Sequence, residues 1–106
     1  MDLNSINKVF FIGIGGIGMS ALANYFLQKN IHVYGYDREA STITEKLTNL
    51  GSNIIYNFND FNVNEFMSDI DNTLVIYTPA ISKEHPLLTK FKENEFNVFK
   101  RAEVLQ

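Results

Sequence analysis

Three glycines at the spacing Gly13-x-Gly15-x-x-Gly18 stand between two apolar stretches, Val9 to Ile12 before them and a helix-compatible segment from Ile17 after them. That order reads as strand, phosphate-binding loop, helix. In such a loop the first glycine permits a tight turn, the second lets a diphosphate approach the backbone, and the third lets helix pack on strand. The amides of Gly15, Gly16, Ile17, Gly18, Met19 and Ser20 would then face an anion at the positive end of a helix dipole, so a diphosphate needs no basic side chain. The same glycines could serve only a turn, but the strand before them and the helix after them are the context the anion-binding mechanism requires.

Other residues offer less chemistry. Asp37 follows a second apolar stretch, 19 residues beyond Gly18, near the spacing at which an acid accepts hydrogen bonds from a ribose. A turn or helix cap is its alternative role. His32 begins an apolar run and His85 adjoins Pro86, so both read as structural or solvated rather than as acid-base groups. Ser20 and Ser82 have no partnered base in the sequence, the acids are scattered, and without cysteine or paired His/Asp spacing no metal site is expected. The residues describe a binding site without catalytic machinery.

Composition narrows the partners. A chain of 106 residues with net charge -3 lacks the clustered basic face that nucleic acid calls for. No apolar run approaches the roughly 20 residues of a membrane span. The opening Met1-Asp2-Leu3-Asn4-Ser5 lacks the basic-then-apolar order of a secretory signal, and there is no cysteine for a disulfide framework. One cytoplasmic domain that binds neither nucleic acid nor membrane is expected.

The elements that must hold the glycine loop follow from patterning. Lys8 to Ile14 reads as a central parallel strand covered on both faces, and Ile17 to Leu27 as a largely buried helix with Ile17, Ala21, Leu22, Tyr25 and Phe26 at helical spacing. Ile31 to Tyr36 is the second strand. A helix opens near Ser41, with Thr42 and Glu45 spaced as a capping box, Ile43, Leu47 and Leu50 on one face, and Gly51 as a left-handed C-cap. Asn53 to Tyr56 suits a third strand, the asparagine-rich 57–64 stretch a loop, and 65–68 a brief helix. Thr73 to Tyr77 is the fourth strand, Pro86 opens a helix that buries Leu87, Leu88 and Phe91, and Asn97 to Lys100 is the fifth. The alternation predicts an α/β fold, a Rossmann-like doubly wound sheet of about five parallel strands in the order 3-2-1-4-5. Ligands of such sheets bind at the carboxyl ends of the strands near the switch point, where the glycine loop, Asp37-Arg38 and Thr78-Pro79-Ala80-Ile81 converge. The helical pattern at 101–106 stops part-way, as expected of a piece of something longer.

The stretch Phe11-Ile12-Gly13-Ile14-Gly15-Gly16-Ile17-Gly18-Met19-Ser20 is more specific than the generic glycine spacing and resembles the opening of the ATP-dependent Mur ligases of bacterial cell-wall synthesis. The likeness continues through Gly35-Tyr36-Asp37, Thr44-Glu45-Lys46-Leu47, Leu50-Gly51, Val75 to Ile81 and Lys100-Arg101-Ala102-Glu103-Val104-Leu105, which is nearly the whole chain. The resemblance is to the branch that joins L-alanine to UDP-N-acetylmuramic acid. It implies a three-domain enzyme whose first domain holds the UDP moiety, while ATP, magnesium and L-alanine are bound by a central and a C-terminal domain. No G-x-x-x-x-G-K-[ST] occurs here, so this chain is expected to hold no cofactor and to be inactive alone. Carried over residue by residue, Gly15 to Met19 would present amides to the diphosphate, Asp37 with Arg38 would border the uridine, and Thr78 to Ile81 would close the other side. Two positions depart from the commoner pattern. Asn57-Phe58 stands where a Gly-His pair often follows strand 3, so Phe58 would stack on uracil instead. Thr78-Pro79-Ala80 replaces Ser-Ser-Ala, keeping a hydroxyl but removing one amide. The rival expectation is a dinucleotide domain of an NAD-dependent oxidoreductase or a nucleotide-sensing module, which would use the same glycines and the same acid but leaves Gly16 to Ser20 and Arg101-Ala102-Glu103 unexplained.

Overall fold

The computed structural model describes residues 3–105 and contains one sheet of five strands. These are β1 (Lys8–Ile12), β2 (His32–Tyr36), β3 (Asn53–Ile55), β4 (Thr73–Tyr77) and β5 (Asn97–Lys100), all parallel and ordered β3-β2-β1-β4-β5. Helix α1 (Ile17–Gln28) connects β1 to β2, α2 (Thr42–Asn49) connects β2 to β3 and α3 (Pro86–Glu93) connects β4 to β5, while α4 (Arg101–Val104) follows β5; the strand order agrees with the one patterning predicts. Gln106, in the expected terminal helix, lies outside the described residues, as do Met1 and Asp2.

Alternation along β1 builds two cores. Val9 and Phe11 face α1 and α2 together with Met19, Ala23, Phe26, Val33 and Leu47. Phe10 and Ile12 face the opposite side with Phe66, Leu87, Leu88 and Phe91. Both faces are covered, which is why the strand reads as a continuous apolar run. β1 ends at Ile12, two residues before the expected Ile14, because Gly13 takes φ +92° and the amides of Gly13 and Ile14 both donate to the carbonyl of Tyr36. Ile14 is nevertheless fully buried and folds back onto Gly35, where a Cβ would lie 2.6 Å from its Cδ1.

Three expectations are corrected. The buried stripe of α1 is Met19, Ala23 and Phe26, whereas Ile17 and Tyr25 are 83% and 53% exposed. Ser20, Asn24 and Gln28 mark one polar side, but the rest of the circumference is apolar, so apolar spacing alone does not single out the inward face. The capping box of α2 is formed by Ser41 and Thr44: the Ser41 hydroxyl accepts from the Thr44 amide at 3.2 Å and the Ser41 amide donates to Thr44 Oγ1 at 2.8 Å. Thr44 is buried and Leu50 exposed, while Gly51 does take the left-handed conformation at φ +114°. Between β3 and β4, three short 3-10 turns (Phe58–Asp60, Val63–Glu65, Met67–Asn72) replace the expected loop and brief helix. Asn57 and Asn62 start the first two by accepting from the amides two residues on, the local bonding that favours asparagine in turns. Their return is to place Phe61 and Phe66 against Phe10 and Phe91, with ring centroids 4.9 to 6.3 Å apart.

A Ser41→Ala change should lower stability by about 1 kcal/mol, or roughly 4–8 °C in melting temperature, while Thr42→Ala should leave it nearly unchanged. Thermal melts of the two variants side by side check which residue caps α2; equal losses would contradict the observed box.

Candidate functional site

The carboxyl ends of β1, β2, β4 and β5 open on one edge of the sheet, where two depressions meet. The larger, about 480 Å³, is lined by Gly13, Gly16, Tyr36, Asp37, Arg38, Thr78, Ala80, Ile81, Ser82 and His85. The smaller, about 250 Å³, is lined by Gly16, Gly18, Met19, Thr78, Pro79, Lys100, Arg101 and Ala102. Gly16 and Thr78 border both, so the start of α1 forms the ridge between them.

The loop is held by a single carboxylate. Asp37 Oδ2 accepts from the Gly15 amide at 2.8 Å and Oδ1 from the Glu39 amide at 3.3 Å. A Cβ at Gly15 would sit 2.6 Å from Oδ2 and 3.2 Å from the Thr44 methyl, so glycine there makes room for the acid. The amides of Gly13 and Ile14 are taken by Tyr36, that of Gly16 by Gly13, and that of Ser20 by Gly16. Those of Ile17, Gly18 and Met19 take no partner among the described residues. They are the unsatisfied donors of the first helical turn.

Gly18 serves a contact unlike the helix-strand packing expected of it. A Cβ there would lie 2.5 Å from Arg101 Cζ and Nε, so the guanidinium at the start of α4 rests directly on the first turn of α1. Arg101 Nε is buried without a hydrogen-bond partner among the described residues. A cationic side chain and the positive end of a helix dipole are thus pressed together, which concentrates positive potential at that edge of the sheet.

The remaining site residues are placed as follows. Arg38, Ala80 and Ile81 line the larger depression, and Pro79 and Met19 the smaller. Thr78 Oγ1 accepts from the Ala80 amide at 3.1 Å, shaping the loop after β4. The Ile17 side chain points to solvent, and Ser20 Oγ donates to the Ile17 carbonyl at 2.8 Å. Asn57 caps its turn through Oδ1. Phe58 is 39% exposed and packs its ring against Tyr36 and His85. Sequence reasoning missed Tyr36, His85, Lys100 and Arg101 as wall residues; the Arg101-Ala102-Glu103 motif was visible and the predicted strand order already set β5 beside β4, but the packing of the Arg101 side chain on Gly18 was not legible.

His85 begins α3, where its Nδ1 accepts from the Leu87 amide at 3.1 Å. Desolvation by burial holds its pKa below the ordinary 6.5.

The fold is that of a Rossmann-like α/β domain, with the start of α1 at the sheet edge where the two depressions meet. The pattern described as "Mur ligase family, catalytic domain" matches residues 8–106, and the chain belongs to the Mur ligase family. It is 48% identical over 105 residues to a UDP-N-acetylmuramate--L-alanine ligase of Parabacteroides distasonis, a match spanning 99% of this chain and 23% of that protein. The ligase of the same name from Flavobacterium psychrophilum is 50% identical over 107 residues, again 99% and 23% of the two chains. The crystal structure of UDP-N-acetylmuramate-alanine ligase from Thermotoga maritima superposes with a TM-score of 0.77 at 31% identity, covering 92% of this chain and 21% of that one. The chain therefore spans about a quarter of the length of the curated relatives it matches.

Because the folded state disfavours the imidazolium of His85, the unfolded chain binds more protons at this residue as pH falls below about 6.5. The stability His85 contributes is present above that value and is lost as pH drops through the lower folded pKa. Between pH 7.5 and 5.5 the wild-type melting temperature should thus fall more steeply than that of His85→Asn, which keeps a capping oxygen but does not titrate; parallel slopes would contradict the assignment.

Proposed function

We propose that this chain is the part of a peptidoglycan-synthesising Mur ligase that holds the UDP end of UDP-N-acetylmuramic acid, presenting its lactyl carboxyl for ATP-dependent amide formation with L-alanine in the cytoplasm. The observation that carries this reading is the packing of Arg101, its Nε buried and without a partner among the described residues, against Gly18 in the first turn of α1, where the amides of Ile17, Gly18 and Met19 are unengaged. In this reading the diphosphate crosses the Gly16 and Thr78 ridge, the uridine enters the larger depression beside Asp37, Arg38 and Ile81, and the sugar leaves past Pro79 and Lys100. Arg101 and the helix start neutralise the diphosphate and fix its position, which sets where the rest of the substrate is delivered.

ATP and magnesium would be held by other parts of the full-length ligase, since the sequence contains no G-x-x-x-x-G-K-[ST]. They supply activation of the carboxyl group; the residues of this chain bind and orient. A dinucleotide role is less well supported, because the Asp37 carboxylate is bonded to Gly15 at the point where the glycine fingerprint would bring a pyrophosphate closest.

Two variants test the reading in a calorimetric titration with UDP. Arg101→Met should weaken binding about tenfold or more, the loss of a charge-assisted hydrogen bond worth roughly 1.5–3 kcal/mol. Gly16→Ala should fold normally, since a Cβ there meets nothing closer than 3.7 Å, yet should block UDP by placing a methyl on the ridge. Unchanged UDP affinity in both folded variants, or saturable binding of NAD with none of UDP, would overturn it.

A further inference from the structure

The sequence reads His85 as structural or solvated, but its surroundings give it a directed donor. Its Nδ1 accepts the Leu87 amide at 3.1 Å, and only an unprotonated ring nitrogen can accept, so the neutral ring carries its hydrogen on Nε2. With its pKa held below 6.5 by desolvation, the ring keeps that tautomer at neutral pH. Nε2 has no partner among the described residues and is not among the buried unsatisfied atoms. It is an accessible N–H with nothing to bond.

The ring is also fixed in place. It packs against Tyr36 at 5.2 Å and Phe58 at 5.8 Å between centroids. Tyr36 is 7% exposed and anchored in the core, whereas Phe58 keeps 39% of its surface open, an aromatic face beside the larger depression that a planar base could complete. Tyr36 and His85 both line that depression, with the charged groups Asp37 and Arg38 on its β2 side.

We propose that His85 reads the nucleobase, its Nε2–H donating to the 4-carbonyl of a uracil seated against the Tyr36 and Phe58 rings. The inference rests on the reading that this depression takes the uridine end of the substrate. Cytosine presents an amino group at the same ring position, so donor would face donor and neither N–H would be satisfied. A binding site that must bury an unpaired polar group rejects the wrong ligand more strongly than one that merely loses a contact.

The test compares UDP, CDP and inorganic pyrophosphate by calorimetry on the wild-type chain and on His85→Ser. Serine retains an oxygen able to cap α3 but is too short to reach the base, and a melting curve verifies that the variant is folded. If it is not, His85→Asn, a second cap-competent replacement, takes its place. The wild-type chain should favour UDP over CDP about tenfold, and the variant should bind the two alike with pyrophosphate affinity unchanged. A wild-type chain that binds UDP and CDP equally, or a folded variant that keeps the preference, would overturn the role of His85 and leave the proposed function standing. A wild-type chain that binds neither UDP nor pyrophosphate would overturn both.

Discussion

The hydrogen bond from the Gly15 amide to Asp37 Oδ2, at 2.8 Å, fixes the conformation on which the site depends. It ties the loop after β1 to the end of β2 and holds the chain so that α1 begins at the sheet edge with its first amides turned outward. Three neighbours support it. Gly15 has no side chain to keep the carboxylate away, the Glu39 amide occupies the other oxygen, and the Thr44 methyl packs beside the glycine. Thr44 is itself held by the Ser41 capping box, so the start of α2 and the start of α1 are braced against one another. A cap that sequence reasoning treats as local thereby supports the binding loop.

The same bond determines where negative charge can be accepted. The protein is acidic overall, with a sequence pI near 5.2, so its general field does not attract phosphates. The carboxylate of Asp37 lies over Gly15 and would repel a phosphate there, whereas a few residues further on Arg101 packs against Gly18, beside amides at 17–19 that have no partner among the described residues, and Lys100 lines the same depression. In the proposed site the diphosphate is held at the start of α1, with Arg38 the further cation on the wall of the larger depression, and Asp37 disfavours a phosphate over Gly15. Local dipoles and the partly buried Arg101 can outweigh the net charge there because they act at contact distance, where screening by water and salt is weakest.

Much of this architecture was legible in the residues. β4 at Thr73–Tyr77, β5 at Asn97–Lys100 and the Leu87, Leu88 and Phe91 stripe of α3 are where patterning puts them, because their β-branched or amphipathic patterns admit one reading. The inward face of α1 was not legible, since Ile17, Ala21 and Tyr25 are as apolar as Met19, Ala23 and Phe26. Nor were the 3-10 turns, whose Asx bonding holds in place aromatic residues that carry no helical period. Of the candidate site, the residues near the glycine loop and at the ends of β2 and β4 could be named from motif and spacing. His85 and Arg101 could not: each sits beside a proline or at a short helix start with an ordinary local role, and the predicted strand order brings their segments to the switch point without showing that their side chains pack on Tyr36 and Gly18.

The central claim is that anions are received by the first turn of α1 and not by the second glycine of the loop. An amide-resolved NMR titration of this chain with UDP measures it directly. The account predicts large, saturable shifts at Ile17, Gly18 and Met19 together with the Arg101 Nε–H signal, while Gly15, already bonded to Asp37, moves little. Shifts centred on Gly15 with Ile17 to Met19 and Arg101 unmoved would contradict it.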